Sequence, residues 1–129
     1  MKILYVAADL GLRLEMTGGA GTHMRGTIKG FRAHGHQVLP IIGGDIMAAP
    51  DVSIKTAKGS GTTQPARYTF LKKLLPDRLR LLLRDLRFSL FDRVLMQRSR
   101  EVIEEFQPEV IYERSGYMSQ LGNRLAEKY

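Results

Sequence analysis

The chain has 129 residues, 43% of them hydrophobic, no cysteine, and a formal net charge of +7. That length suits one ordinary domain or one piece of a larger one, with apolar content sufficient for a core. Disulfides and thiolate metal sites are excluded, and the lack of cysteine fits a reducing compartment such as the cytoplasm. The first apolar run, Ile3 to Ala8, is too short for a secretory core and stops at Asp9, and no later run is long enough to span a membrane.

The charge is unevenly placed. Between Arg67 and Arg100 stand eight arginines and two lysines against Asp77, Asp85 and Asp92, which accounts for the whole excess of +7. A basic segment on a neutral scaffold suggests attraction to an anionic surface, lipid head groups or nucleic acid. The alternative is that these arginines only solvate the outer face of a helix.

In chain order, Lys2 to Ala8 is a nearly continuous apolar run, the pattern of a strand buried on both faces of a parallel sheet. A long loop from Asp9 to Ala20 follows, and loops of that length in compact domains are often functional. Thr22 can cap the next helix, in which Met24, Ile28 and Phe31 recur at helical spacing and which Gly35 stops. His36 to Ile42 reads as the second strand, ended by Gly43, Gly44 and Asp45, so the first β-α-β unit closes with a right-handed crossover.

The segment from Asp51 to Thr63 alternates weakly through Val52 and Ile54 and reads as a short strand before a glycine-rich loop. Pro65 to Phe106 is helical in character, with Pro76 and Asp77 breaking a short piece from a long one. On the long helix Leu79, Leu82, Leu83, Leu86, Leu90 and Val94 follow one stripe, and Arg80, Arg84, Arg87 and Arg98 fall on a different face. Phe91 and Leu95 lie near that basic face. Pro108 ends the helix, Glu109 to Tyr112 is the third strand, and Tyr117 to Lys128 is a last helix carrying Met118, Leu121 and Leu125 on one side. Strands alternating with helices predict an open parallel α/β sheet of Rossmann-like type with helices on both faces.

Chemistry concentrates in Thr17-Gly18-Gly19-Ala20-Gly21-Thr22-His23. Glycine permits positive φ and close approach of a ligand to backbone amides, and a helix beginning just behind points its free N–H groups at an anion. A plain turn is the competing reading. A triphosphate P-loop fails, because Gly21 is followed by Thr22 and His23 where lysine and a hydroxyl are required. The dinucleotide fingerprint survives as a minor alternative, with Asp45 at the place of a ribose-binding acid, although its third glycine is missing and the loop starts late. His23, His34 and His36 do not make a metal site. Glu113 and Arg114 fall beyond the carboxyl end of a strand, where open α/β sheets bind ligands; the competing reading is an ion pair at the sheet edge.

At these residues the chain resembles the nucleotide-sugar glycosyltransferases of GT-B fold, in particular the retaining group 1 type. The resemblance runs through Met1 to Ala8, Gly18-Gly19-Ala20-Gly21 with His23, Gly35-His36-Gln37-Val38, and Pro108-Glu109-Val110-Ile111-Tyr112-Glu113-Arg114. It implies that residues 1–129 are part of an N-terminal, acceptor-side domain, the C-terminal donor-binding domain being absent. The full-length enzyme would be a hexosyltransferase using a nucleotide sugar as co-substrate, with no cofactor and no metal, and the fragment alone would be inactive.

By that resemblance Gly18, Gly19, Ala20 and Gly21 would meet the donor pyrophosphate, and His23, Glu113 and Arg114 would line the acceptor side. No catalytic residue is assigned. Arg80, Arg84, Arg87 and Arg98 are candidates for an anionic membrane surface, placing the enzyme in the cytoplasm or peripherally on the inner face of a membrane. A stand-alone α/β module docking by its basic helix on membrane or nucleic acid is the alternative. An incomplete sheet is expected to self-associate through its exposed edge.

Overall fold

The computed structural model describes residues 1–48, 76–116 and 119–129. The expected strand and glycine-rich loop between Asp51 and Thr63, the short helical piece before Pro76, and the Tyr117 start of the last helix lie outside them. Three strands, β1 (Lys2–Ala7), β2 (Gln37–Ile42) and β3 (Val110–Glu113), form one parallel sheet in the order β2-β1-β3. The helices are α1 (Gly19–Ala33), α2 (Gly43–Ala48), α3 (Asp77–Phe106) and α4 (Leu121–Lys128).

β1 is the central strand, hydrogen-bonded on both sides, with Lys2 opposite Gln37 and Ile3 opposite Val110 at the start of the two ladders. Its continuous apolar run follows from that position, because both of its faces are covered. Ile3, Tyr5 and Ala7 pack with Val38 and Ile42 against Met24 and Ile28 of α1. Leu4, Val6 and Ala8 point the other way, onto Phe91, Leu95 and Ile103 of α3 and Leu121 and Leu125 of α4. The two apolar clusters thus sit on opposite faces of one sheet.

α1 ends as its sequence predicts. Gly35 has φ +78° and its N–H donates to the Arg32 carbonyl, the left-handed conformation that closes a helix and that other residues adopt with strain. Elsewhere the structure corrects the reading. Gly43, Gly44 and Asp45 do not simply end β2 but open α2, and the two glycines are small for a packing reason. The chain after β1 crosses directly over them, so a Cβ on Gly43 would press on the Ala8 and Asp9 carbonyls and one on Gly44 would overlap that of Leu12.

The largest correction concerns α3. The stripe of leucines that the sequence sets apart from the arginines is exposed, and the buried residues are Phe91, Asp92, Leu95, Ser99 and Ile103. A helix of 30 residues is about 45 Å long, whereas a six-residue strand covers about 20 Å. Only the C-terminal half of α3 can therefore lie on the sheet, and that half uses its own stripe. At its far end, Arg100 and Lys128 share the Glu104 carboxylate, at 2.8 and 3.4 Å, which ties the end of α4 to α3. The bond from Arg100, reinforced by Lys128 and Tyr129, holds this carboxyl below its ordinary range.

Candidate functional site

α1 follows β1 on one face of the sheet, and α4 follows β3 on the other. Neighbouring strands whose helices leave to opposite faces create a crevice at their carboxyl ends, the usual ligand position in open α/β sheets. Asp9 and Arg114 meet there, with Arg114 Nη1 4.0 Å from Asp9 Oδ2 and both side chains about one-third exposed. The Arg114 N–H also donates to the Val6 carbonyl at 2.8 Å, extending the ladder by one residue. Gly116 closes over the pair so tightly that a Cβ would overlap the Asp9 carboxylate.

Below this pair Tyr5 stacks on Tyr112 with ring centroids 5.5 Å apart, and Phe31 of α1 meets Tyr112 edge-on at 5.3 Å. The Tyr5 hydroxyl is buried without a hydrogen-bond partner. Burial raises its pKa, Tyr112 adds to the rise, and Arg114 offsets part of it.

The glycine stretch differs from its expected form. Gly19, Ala20 and Gly21 are the first turn of α1 and not the loop before it, and Thr22 is not the cap; its N–H already donates to the Gly18 carbonyl at 3.0 Å. Each glycine has a different reason to be there. Gly18 is the N-cap, with φ +116° and ψ 177°, a backbone region essentially reserved for glycine. Gly21 packs beneath the preceding loop, where a Cβ would overlap the Met16 carbonyl. Gly19 has ordinary helical geometry and open space where its Cβ would be.

No side chain caps α1 and its first turn holds no acid, so the positive end of a 15-residue helix stands uncompensated on the carboxyl side of the sheet. The loop leading to it is held in place by side chains. Arg25 Nη1 donates to the Leu14 and Met16 carbonyls at 2.7 and 3.0 Å, and the Leu14 N–H donates to Asp45 Oδ2 at 2.9 Å. Asp45, the candidate ribose acid, is thereby engaged in fixing this loop. Arg25 escaped the sequence reading because an exposed helical arginine carries no signal of what it reaches.

The remaining candidates are dispersed. His23 is exposed on α1. Glu113 turns toward α4: its Oε1 accepts from the Gly122 N–H at 3.1 Å, and Gly122 has no room for a Cβ beside it. Asp92, buried on α3, accepts from the Gln120 N–H at 2.7 Å and from the Ser119 hydroxyl at 3.1 Å. Two carboxylates from two elements therefore meet the start of α4 and satisfy amides that have no partner inside the helix. Neither role was legible in the sequence, where Asp92 counts only as a charge on a basic helix.

Arg80, Arg84 and Arg87 stand on the exposed N-terminal half of α3, whereas Arg98 is partly buried and lies 3.4 Å from the Ile46 carbonyl of α2. Among the described residues no group of three or more His, Cys, Asp or Glu side chains converges on a common point. A shallow cleft of about 250 Å³ lined by Lys2, Gln37, Val102 and Phe106 lies at the amino ends of the strands, opposite the crevice. The architecture is a small α/β domain, a parallel sheet with helices on both faces, consistent with a generic Rossmann-like fold. No family model, no curated protein and no solved structure matches the chain.

Proposed function

We propose that this chain is the acceptor-side half of a retaining nucleotide-sugar glycosyltransferase, acting with a second α/β domain that binds most of the donor. The reading is carried by one observation: the uncapped, acid-free N-terminus of α1, with Gly19 open above it, lies on the same side of the sheet as the Asp9–Arg114 crevice. In the transfer, the bond from the sugar anomeric carbon to the phosphate oxygen breaks and a bond to an acceptor hydroxyl oxygen forms. The phosphate oxygen departs with the electron pair and takes up the proton that the acceptor hydroxyl releases. Amides of Gly19, Ala20 and Gly21 are suited to receive the charge that grows on the departing pyrophosphate. In this reading Arg114 and His23 would meet the acceptor.

Gly19→Val tests this reading because a Cβ there meets no atom within 4 Å and requires no forbidden φ. In the protein that joins this chain to a donor-binding domain, transfer from a nucleotide sugar should fall by about a hundred-fold or more, with an unchanged thermal midpoint. The chain alone should show perturbed Gly19, Ala20 and Gly21 amide resonances on titration with a uridine or guanosine diphosphate sugar. Wild-type turnover in the valine variant, with those resonances unmoved, would reduce the stretch to a helix start.

A further inference from the structure

The N-terminal half of α3 presents a face that the sheet does not use. Among the described residues, the first buried residue of this helix is Phe91, whose ring lies against Gly43 at the carboxyl end of β2. Val102 and Phe106 lie beside Lys2 and Gln37 at the amino ends of the strands, so α3 runs antiparallel to them and residues 77–90 project past the carboxyl edge of the sheet. On them Leu79, Leu82, Leu83, Leu86 and Leu90 are 42, 64, 47, 54 and 50% exposed. At 100° per residue these five form one stripe, turned away from the side that carries Phe91, Leu95 and Ser99. Arg78 borders the stripe on one side, and Arg80, Arg84 and Arg87 border it on the other.

The chemistry of this face selects its partner. A second copy of the helix would bring the arginine rows together, and like charges oppose that contact. A nucleic acid would engage the arginines and leave the leucines in water. A bilayer with acidic head groups takes both, since leucines enter the acyl boundary while arginine stems lie along it and keep their guanidinium groups among the phosphates. The exposed pairs Arg80–Asp77 and Arg84–Asp85 are weak enough to yield to phosphate.

We propose that residues 77–90 form a lipid-docking face that lies in the plane of an anionic membrane and holds the carboxyl edge of the sheet beside it. The inference does not depend on the sugar-transfer reading. Co-sedimentation of the intact protein with phosphatidylcholine vesicles, with and without a large fraction of phosphatidylglycerol, tests it. Retention should require phosphatidylglycerol and decline as salt is raised. Arg80→Gln and Arg84→Gln should each weaken it about five-fold, the factor equivalent to about 1 kcal/mol for one basic residue near such a surface.

The double variant Leu82→Gln/Leu86→Gln should lose about ten-fold or more, because two apolar side chains no longer enter the bilayer. Glutamine is a good helix former, so an unchanged circular dichroism spectrum confirms that the helix persists. Full retention of the leucine variant, or equal retention on both vesicle types, would overturn the proposal. So would arginine-dependent, leucine-independent binding to a labelled oligonucleotide, or a lipid-free dimer that the leucine changes dissolve.

Discussion

Three glycines within four residues look alike in sequence and are held by different forces. Gly18 is fixed by its dihedral angles, Gly21 by the Met16 carbonyl above it, and Gly19 by neither. Gly18→Ala should therefore destabilise the protein by about 1–3 kcal/mol, the usual cost of a side chain in a region reserved for glycine. Gly21→Ala should cost a comparable amount, because the loop from Leu14 to Met16 is clamped by Arg25 and Asp45 and cannot give way freely. Gly19→Ala should lie within about 0.5 kcal/mol of wild type, as for an open surface position. Urea unfolding of the three variants checks the order; a Gly19→Ala loss equal to the other two would mean that the start of α1 is packed.

Among the elements, α4 shows how a short helix of eight residues is kept in place. Leu121 and Leu125 bury one side, and the buried carboxylate of Asp92 reaches across from α3 to the Gln120 N–H at its start. Asp92→Ala should lower stability by about 1–3 kcal/mol, since it strands a donor in a partly buried place. Asp92→Asn keeps one acceptor oxygen and should lose less. Chemical denaturation measures both, with amide exchange at Gln120 and Leu121 as the local readout; equal losses in the two variants would show that charge, not the hydrogen bond, secures the helix.

At the scale of the molecule, the sheet has three strands among the described residues, and there β3 pairs only with β1. Its residues Val110 and Tyr112 are 40 and 39% exposed, so the edge offers apolar side chains together with backbone groups that no described strand pairs. Such an edge templates pairing with another chain. Self-association through β3 is the expected result, visible as a concentration-dependent mass by light scattering. Val110→Lys should suppress it by placing a charge on the edge, whereas Leu82→Gln/Leu86→Gln should leave it unchanged. A protein that stays monomeric at high concentration would show the edge to be protected.

What the sequence by itself determined are the features set by local chemistry. The run from Ile3 to Ala8 dictates a strand covered on both faces, Gly35 a helix end, and Pro76 the start of α3, because each depends on backbone sterics or on unbroken apolarity. Tertiary structure alone decided which side of α3 is inside. Two stripes on that helix have the same period, one through Leu79, Leu86 and Leu90 and one through Phe91, Leu95 and Ile103, and period cannot rank them. The helix outruns the strands beneath it, so the second stripe meets the sheet and the first, lying beyond its edge and turned outward, does not. The partners of Asp45, Asp92, Glu113 and Arg25 were likewise settled in space, since a hydrogen bond between residues distant in sequence leaves no local trace in either segment.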